Sequence, residues 1–151
     1  MFLSGDSAGG NLAHHVAVRV SSENLQNLKV IGLVSIQPFF GGEEQTKSDI
    51  RLKRVPVVSM DKIDCGPNAI DISIVDYPNT LLCVGGFDPL VDWQKKYYEW
   101  LRKFGKEVEL IEYPIHALYC FPDLPETSHF ISKVKSFMIK QMIENGGKTN
   151  S

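Results

Sequence analysis

The sequence predicts an α/β domain in which a parallel sheet carries helices on its faces. Three observations lead there. Short apolar runs, Val30 to Ile36 and Leu81 to Val84, have the composition of strands covered on both faces. Longer stretches with helical spacing lie between and after them, so strands and helices alternate. A tight Gly-rich turn, Gly5 to Gly10, joins the first apolar run to the first helix.

The elements follow in order. Met1 to Ser4 is short and apolar and reads as the end of a strand. Ala8 to about Val20 is rich in Ala, Val and Leu and has no breaker; Leu12, Val16 and Val20 repeat at helical spacing and are predicted as its apolar face. Ser21, Ser22 and Asn24 end it. Val30 to Ile36 is the next strand, and Gln37-Pro38-Phe39-Phe40-Gly41-Gly42 a loop after it. Residues 43 to 79 show no sustained period, which is unusual inside a compact domain. Leu81 to Val84 is a buried strand closed by Gly85 and Gly86. Leu90 to Phe104 is an aromatic-rich helix with Gly105 as its stop. Val108 to Tyr113 is a strand ended by Pro114. Thr127 or Ser128 is the predicted cap of a last helix, with Phe130, Val134, Phe137, Met138 and Met142 on its apolar face and Gly146 at its end. The organisation is one domain over residues 1–146 and a frayed tail over 147–151.

Composition narrows the partners. A length of 151 residues suits one domain, and 43% apolar with 23% charged residues suits a globular chain rather than a disordered one. A net charge of −2 with no basic block sets aside nucleic acid and anionic membranes. No apolar run approaches the ~18 residues of a membrane helix. The start, Met-Phe-Leu-Ser-Gly-Asp, lacks the basic and apolar regions of a signal peptide. Cys65, Cys83 and Cys120 are odd in number and form no CxxC pair. That suits reduced thiols in a cytoplasmic protein, each expected as a small buried apolar residue.

Gly5-Asp6-Ser7-Ala8-Gly9 matches G-x-S-x-G between a strand and a helix. A nucleophilic serine needs such an elbow so that its hydroxyl projects above the sheet, and side chains at Gly5 or Gly9 are expected to crowd the turn. The Ala8 N–H then opens a helix, where a developing oxyanion is favoured. Asp6 argues against a phosphate-binding turn, because it would repel an anion.

A serine on this elbow takes its acid and then its base from later in the chain. His14 and His15 lie on the helix that follows. His14 is roughly 10 Å along the axis at ~1.5 Å per residue, so both histidines read as packing or surface residues. His129 starts the last helix and is expected exposed. His116 follows the strand ending at Tyr113, at the sheet's carboxyl edge, and is the predicted base. Asp88, after Gly85-Gly86-Phe87, is placed to hold its imidazole, with Asp92 the second candidate. Asp71 and Asp76 read as turn residues. Phe39 and Phe40 are candidates to line the acyl side of a pocket or to pack in the core.

With these residues the chain resembles the plant carboxylesterases of the hormone-sensitive-lipase-like group, the α/β-hydrolase branch that also contains the gibberellin receptor. The matches are Gly5-Asp6-Ser7-Ala8-Gly9-Gly10-Asn11, Gln37-Pro38-Phe39-Phe40-Gly41-Gly42, Gly85-Gly86-Phe87-Asp88-Pro89-Leu90, and Glu112-Tyr113-Pro114 with Ile115-His116-Ala117. The resemblance implies a carboxylic ester hydrolase with Ser7, Asp88 and His116 as its triad, acting on a small-molecule ester without cofactor or metal. It also implies a contrast with the receptor-like relative, in which the histidine is replaced. Three departures are expected to matter. The family's N-terminal half, with its His-Gly-Gly-Gly oxyanion loop, does not precede Met1, so the fold is expected to be an incomplete α/β-hydrolase. A longer segment of the family is skipped between Met60 and Gly66. The loop from Tyr113 to His116 is shorter than the family's, which bears on whether His116 keeps its mark and completes the triad. The alternative function is a catalytically incompetent fragment or a non-enzymatic small-molecule binder.

Overall fold

A computed structural model describes residues 1–23, 28–41, 46–48 and 72–146. Asp71, Cys65, the Met60–Gly66 junction, most of the aperiodic stretch and the expected tail lie outside the described residues.

Strands β1 (Phe2–Asp6), β2 (Gly32–Ile36), β3 (Thr80–Gly85) and β4 (Val108–Tyr113) form one sheet in the order β1-β2-β3-β4. Every pairing is parallel, with Leu3 beside Leu33, Leu33 beside Thr80, and Thr80 beside Val108. Successive side chains alternate between the faces. Leu33, Leu82, Val84 and Val108 point to one face, with Leu3 and Leu110 beside them, and meet Ala13, Ala17, Val18, Tyr97, Trp100 and Leu101. These come from helices α1 (Ala8–Glu23) and α2 (Val91–Lys103). Val34 and Leu81 point to the other face, where Phe2, Ile36 and Ile111 join them, and meet Phe137 of α3 (Pro125–Gly146). The sheet is therefore covered on both sides, as its continuous apolar strands require.

Some element details differ from expectation. The buried side of α1 is Gly10, Ala13, His14, Ala17 and Val18, whereas Leu12 is 64% and Val16 37% exposed. Small residues let this helix lie close to the sheet and to the loop after β2: a Cβ on Gly10 would stand 3.3 Å from the Gly5 carbonyl oxygen of β1 and 2.9 Å from Pro38 Cβ. The larger apolar residues are left on the outer side. On α3, Phe130 and Phe137 are buried and Val134 and Met138 partly so, but Met142 is 49% exposed. Pro125 opens this helix, since its fixed φ suits a first helical position. Thr127 is thus inside the first turn rather than a cap, and its hydroxyl donates to the Leu118 and Phe121 carbonyls at 3.0 and 2.8 Å. Gly105 ends α2 as expected, with φ +68° and its N–H on the Arg102 carbonyl.

Cys83 is buried, and burial, reinforced by the charge of Asp6, pushes its thiol up to about 12. Cys120 is exposed, contrary to expectation, because it ends a short 3₁₀ turn, Leu118–Cys120, on the surface. Among the described residues no helix is long and apolar enough to cross a membrane.

Candidate active site

Ser7 stands between β1 and α1 with φ +51°, a left-handed conformation that few non-glycine residues adopt. Backbone hydrogen bonds hold it there. Its N–H donates to the Ile36 carbonyl at 2.9 Å, and its own carbonyl accepts from Phe39 at 2.8 Å and Gly10 at 3.0 Å. The end of β2 thus grips the turn. Asn11 adds a bond from Nδ2 to the Phe39 carbonyl at 3.0 Å. Gly5 is required: a Cβ on it would lie 2.0 Å from the Gly9 carbonyl oxygen. Gly9 is not, since nothing lies within 4 Å of a Cβ there, and the expectation of crowding at both glycines holds only for the first. Ala8 is the first residue of α1, so its N–H has no partner four residues back along that helix.

His116 and Asp88 meet. His116 Nδ1 donates to Asp88 Oδ2 at 2.6 Å, the short length of a charge-assisted bond. This fixes the proton on Nδ1 and leaves Nε2 with a lone pair. The short loop before His116 does not draw it away from Asp88. The Asp88 hydrogen bond, aided by the charges of Asp88 and Asp6 and opposed by partial burial, raises the His116 pKa above its ordinary value. Asp88 itself is buried. Leu90 N–H donates to its Oδ1 at 2.9 Å, and Gln94 Nε2 donates to Oδ2 at 2.9 Å. Gln94 Oε1 accepts from the Gly85 N–H at 3.1 Å. The amide orientation is therefore forced, because a flip would set donor against donor.

β1 and β4 are the two outer strands, roughly 14 Å apart at ~4.8 Å per strand. The chain after β4 crosses that distance in steps. Gly86 and Phe87, after β3, donate to the Tyr113 and Pro114 carbonyls at 2.7 and 2.8 Å. The Gln37 side chain, after β2, bonds to Ile115 and Ala117. The Tyr119 hydroxyl donates to Asp6 Oδ2 at the end of β1. Residues 113 to 119 are thus tied in turn to the carboxyl ends of three strands, and the last tie reaches the residue beside Ser7.

The other candidates are engaged elsewhere. Asp92 Oδ2 accepts from the Ser48 N–H at 2.7 Å. Asp76 accepts the Ser21 hydroxyl through its carbonyl at 3.0 Å. His129 is exposed and its Nδ1 pairs with the Tyr113 hydroxyl at 2.9 Å. His15 is half-buried, its ring edge-on to that of His14. His14 is fully buried, with Nδ1 2.8 Å from the Tyr77 hydroxyl and 3.2 Å from that of Tyr97. Burial, with the charge of His15, lowers its pKa to about 3. Phe40 is fully buried against Tyr97 and His14, so it belongs to the core, while Phe39 is half-buried. Among the described residues no group of His, Cys, Asp and Glu is arranged to hold a metal ion. Gln37, Gln94 and Tyr119 are the site residues that the sequence reading passed over. Gln94 left a signal, as a polar residue on the otherwise apolar inner face of α2, with Val91, Tyr97 and Leu101.

Residues 1–120 match the α/β-hydrolase fold family. The chain is 35% identical to gibberellin receptor GID1B of Arabidopsis thaliana, over 86% of this chain and 41% of the receptor. It is 31% identical to probable carboxylesterase 8 of the same plant, over 99% of this chain and 52% of that protein. The chain thus spans about half, or less, of the curated relatives it matches. A fungal esterase structure from Rhizomucor miehei superposes with a TM-score of 0.78 at 23% identity, over 95% of this chain and 51% of the esterase. The parallel sheet, the strand-turn-helix around Ser7 and the match over residues 1–120 agree, and the chain belongs to the α/β-hydrolase fold family.

Proposed function

We propose that this chain carries the reacting groups of a carboxylic ester hydrolase. The observation that carries the reading is the His116–Asp88 bond of 2.6 Å, made at the same sheet edge that holds Ser7 on its left-handed turn. Ser7 Oγ attacks the ester carbonyl as His116 Nε2 takes its proton. The tetrahedral intermediate collapses, His116 returns the proton to the leaving alcohol, and an acyl-Ser7 remains. Water then attacks this acyl group with His116 again as base, and the carboxylic acid leaves. Asp88 orients His116 and stabilises its imidazolium. The Ala8 N–H, at the start of α1, is the oxyanion donor this chain supplies. The similarity to a probable carboxylesterase supports the substrate class, a small-molecule ester.

A second reading is a small-molecule binder without turnover. The 35% identity to a gibberellin receptor favours it. The intact His116–Asp88 pair favours hydrolysis.

A fluorophosphonate probe with peptide mapping separates the two. Ser7 is expected to be labelled, and Ser4 and Ser35 not. With a small activated ester, His116→Ala should cost nearly as much as Ser7→Ala, because such losses are not additive. Asp88→Asn should lower the rate by about 10⁴-fold through the wrong imidazole tautomer. Label that persists in Ser7→Ala would remove Ser7 from its role. Full activity in Asp88→Asn with a loss in Asp92→Asn would move the acid to Asp92.

A further inference from the structure

The loop that carries His116 receives its middle tie from one side chain. Gln37 Nε2 donates to the Ile115 carbonyl at 2.8 Å, and Gln37 Oε1 accepts from the Ala117 N–H at 2.6 Å. These are the peptide groups immediately before and after His116. The amide can face only one way, since a flip would place donor on donor and acceptor on acceptor. Gln37 is fully buried, so each of its polar atoms needs a partner, and each has one.

The backbone makes the same point. Among the described residues, three non-glycine residues have positive φ: Ser7 at 51°, Gln37 at 43° and Ala117 at 52°. Such conformations are strained and persist where the surroundings over-determine them. One is the nucleophile, one follows His116, and one is the glutamine that joins the two regions. Gln37 also precedes Pro38, which restricts its backbone further. Its own N–H is fixed on the Cys83 carbonyl at 2.8 Å, so the side chain starts from a rigid base. Space is reserved for it as well. A Cβ on Gly85 would stand 2.7 Å from Gln37 Nε2 and 3.0 Å from Asp88 Cβ.

We infer that Gln37 is a positioning residue whose amide brackets His116 and holds its imidazole in register with Asp88. The inference rests on the esterase reading for the purpose of the register. The bracket itself is a matter of geometry. Asp88 fixes the imidazole through Nδ1, and Gln94 fixes Asp88. Gln37 supplies what neither can, the height of the His116 backbone above the sheet. Its position after β2 is the one from which a side chain reaches a loop crossing from β4 towards β1.

The test reads His116 directly. In the full chain labelled with ¹⁵N-histidine, the Nδ1 proton shared with Asp88 should give a low-field resonance. Gln37→Met keeps the length and removes both bonds, and Gln37→Glu keeps an acceptor for Ala117. The resonance should disappear or broaden in Gln37→Met and shift less in Gln37→Glu, with the far-UV circular dichroism unchanged in both. Fluorophosphonate labelling of Ser7 should slow by about 10²-fold in Gln37→Met, the scale of a misplacement of about 1 Å. An unchanged Nδ1 resonance in Gln37→Met would overturn the inference. Should that variant not fold, the unaltered chain decides: the Gln37 side-chain amide protons should exchange slowly with solvent, and rapid exchange overturns the bracket. If the resonance responds to Gln37 but Ser7 of the unaltered chain takes no label, the esterase reading fails and the positioning role stands.

Discussion

His116 carries its proton on the nitrogen that faces Asp88, and under the proposed esterase reading this sets the pH at which Ser7 would be activated. The Asp88 hydrogen bond, with smaller contributions from the charges of Asp88 and Asp6, raises the imidazole pKa above 6.5 against the opposing effect of burial. A protonated imidazole cannot accept the serine proton. The kcat/KM for an activated ester should therefore rise with pH through a midpoint above 6.5, and a pH–rate profile measures it. A midpoint below 6.5 would mean that Asp88 does not hold the imidazolium. The side chains at this scale were unequally legible. Ser7 announces itself because the elbow needs glycine and serine at fixed spacing, and His116 and Asp88 because each follows a strand. Gln37 and Tyr119 act through contacts between residues far apart in sequence, 78 and 113 positions for their bonds to Ile115 and Asp6, and no local pattern encodes such a meeting.

At the scale of the elements, the first helix shows why periodicity misleads. The repeat of Leu12, Val16 and Val20 picks out the largest apolar residues, but the packing selects the smallest, Gly10, Ala13 and Ala17, for the close approach to the sheet. The strand boundaries were legible within a residue or two, most plainly for β2 and β3, whose burial on both faces leaves continuous apolar runs. The two elbow glycines now separate into different predictions. Gly5→Ala puts a methyl against the Gly9 carbonyl and should destabilise by about 3 kcal/mol or more. Gly9→Ala meets open space on a helix and should be neutral or stabilising by up to about 1 kcal/mol. Thermal melts of the two variants check this, and equal losses would mean that the turn is not shaped as described. The same helix carries His14 into the core, where its pKa falls from 6.5 to about 3. The folded state then resists a proton that the unfolded chain accepts below 6.5. The stability contributed by the neutral ring is present above 6.5 and is lost as the pH falls from there towards 3. His116 has the opposite sign, because its raised pKa adds stability that is full below 6.5 and fades as the pH rises through the folded value. His14→Gln should flatten the acid side of a stability–pH curve measured by urea melts between pH 4 and 7. An acid limb as steep as before would assign it to other groups.

For the whole molecule, the surface is as informative as the core. Leu12 and Val16 on α1 and Ile131, Ile139, Met142 and Ile143 on α3 are all exposed by 37–71%. Among the described residues β1 also has no strand on its outer side. Open edges and apolar patches favour association. Sedimentation of the purified chain should therefore show self-association that grows with concentration and weakens in the double variant Leu12→Lys, Val16→Lys. A sharp monomer at all concentrations would show that these patches are too dispersed to matter. The stepwise tethering of residues 113 to 119 has a consequence of another kind. Under the proposed esterase reading, a chemistry that depends on ties to the ends of β3, β2 and β1 together would be an indicator of native-state integrity, because opening at any one of them would loosen the segment that carries His116. Local openings cost less free energy than global unfolding. The reactive population is then smaller than the folded population, and mild denaturant should silence Ser7 while most of the helix signal is still present.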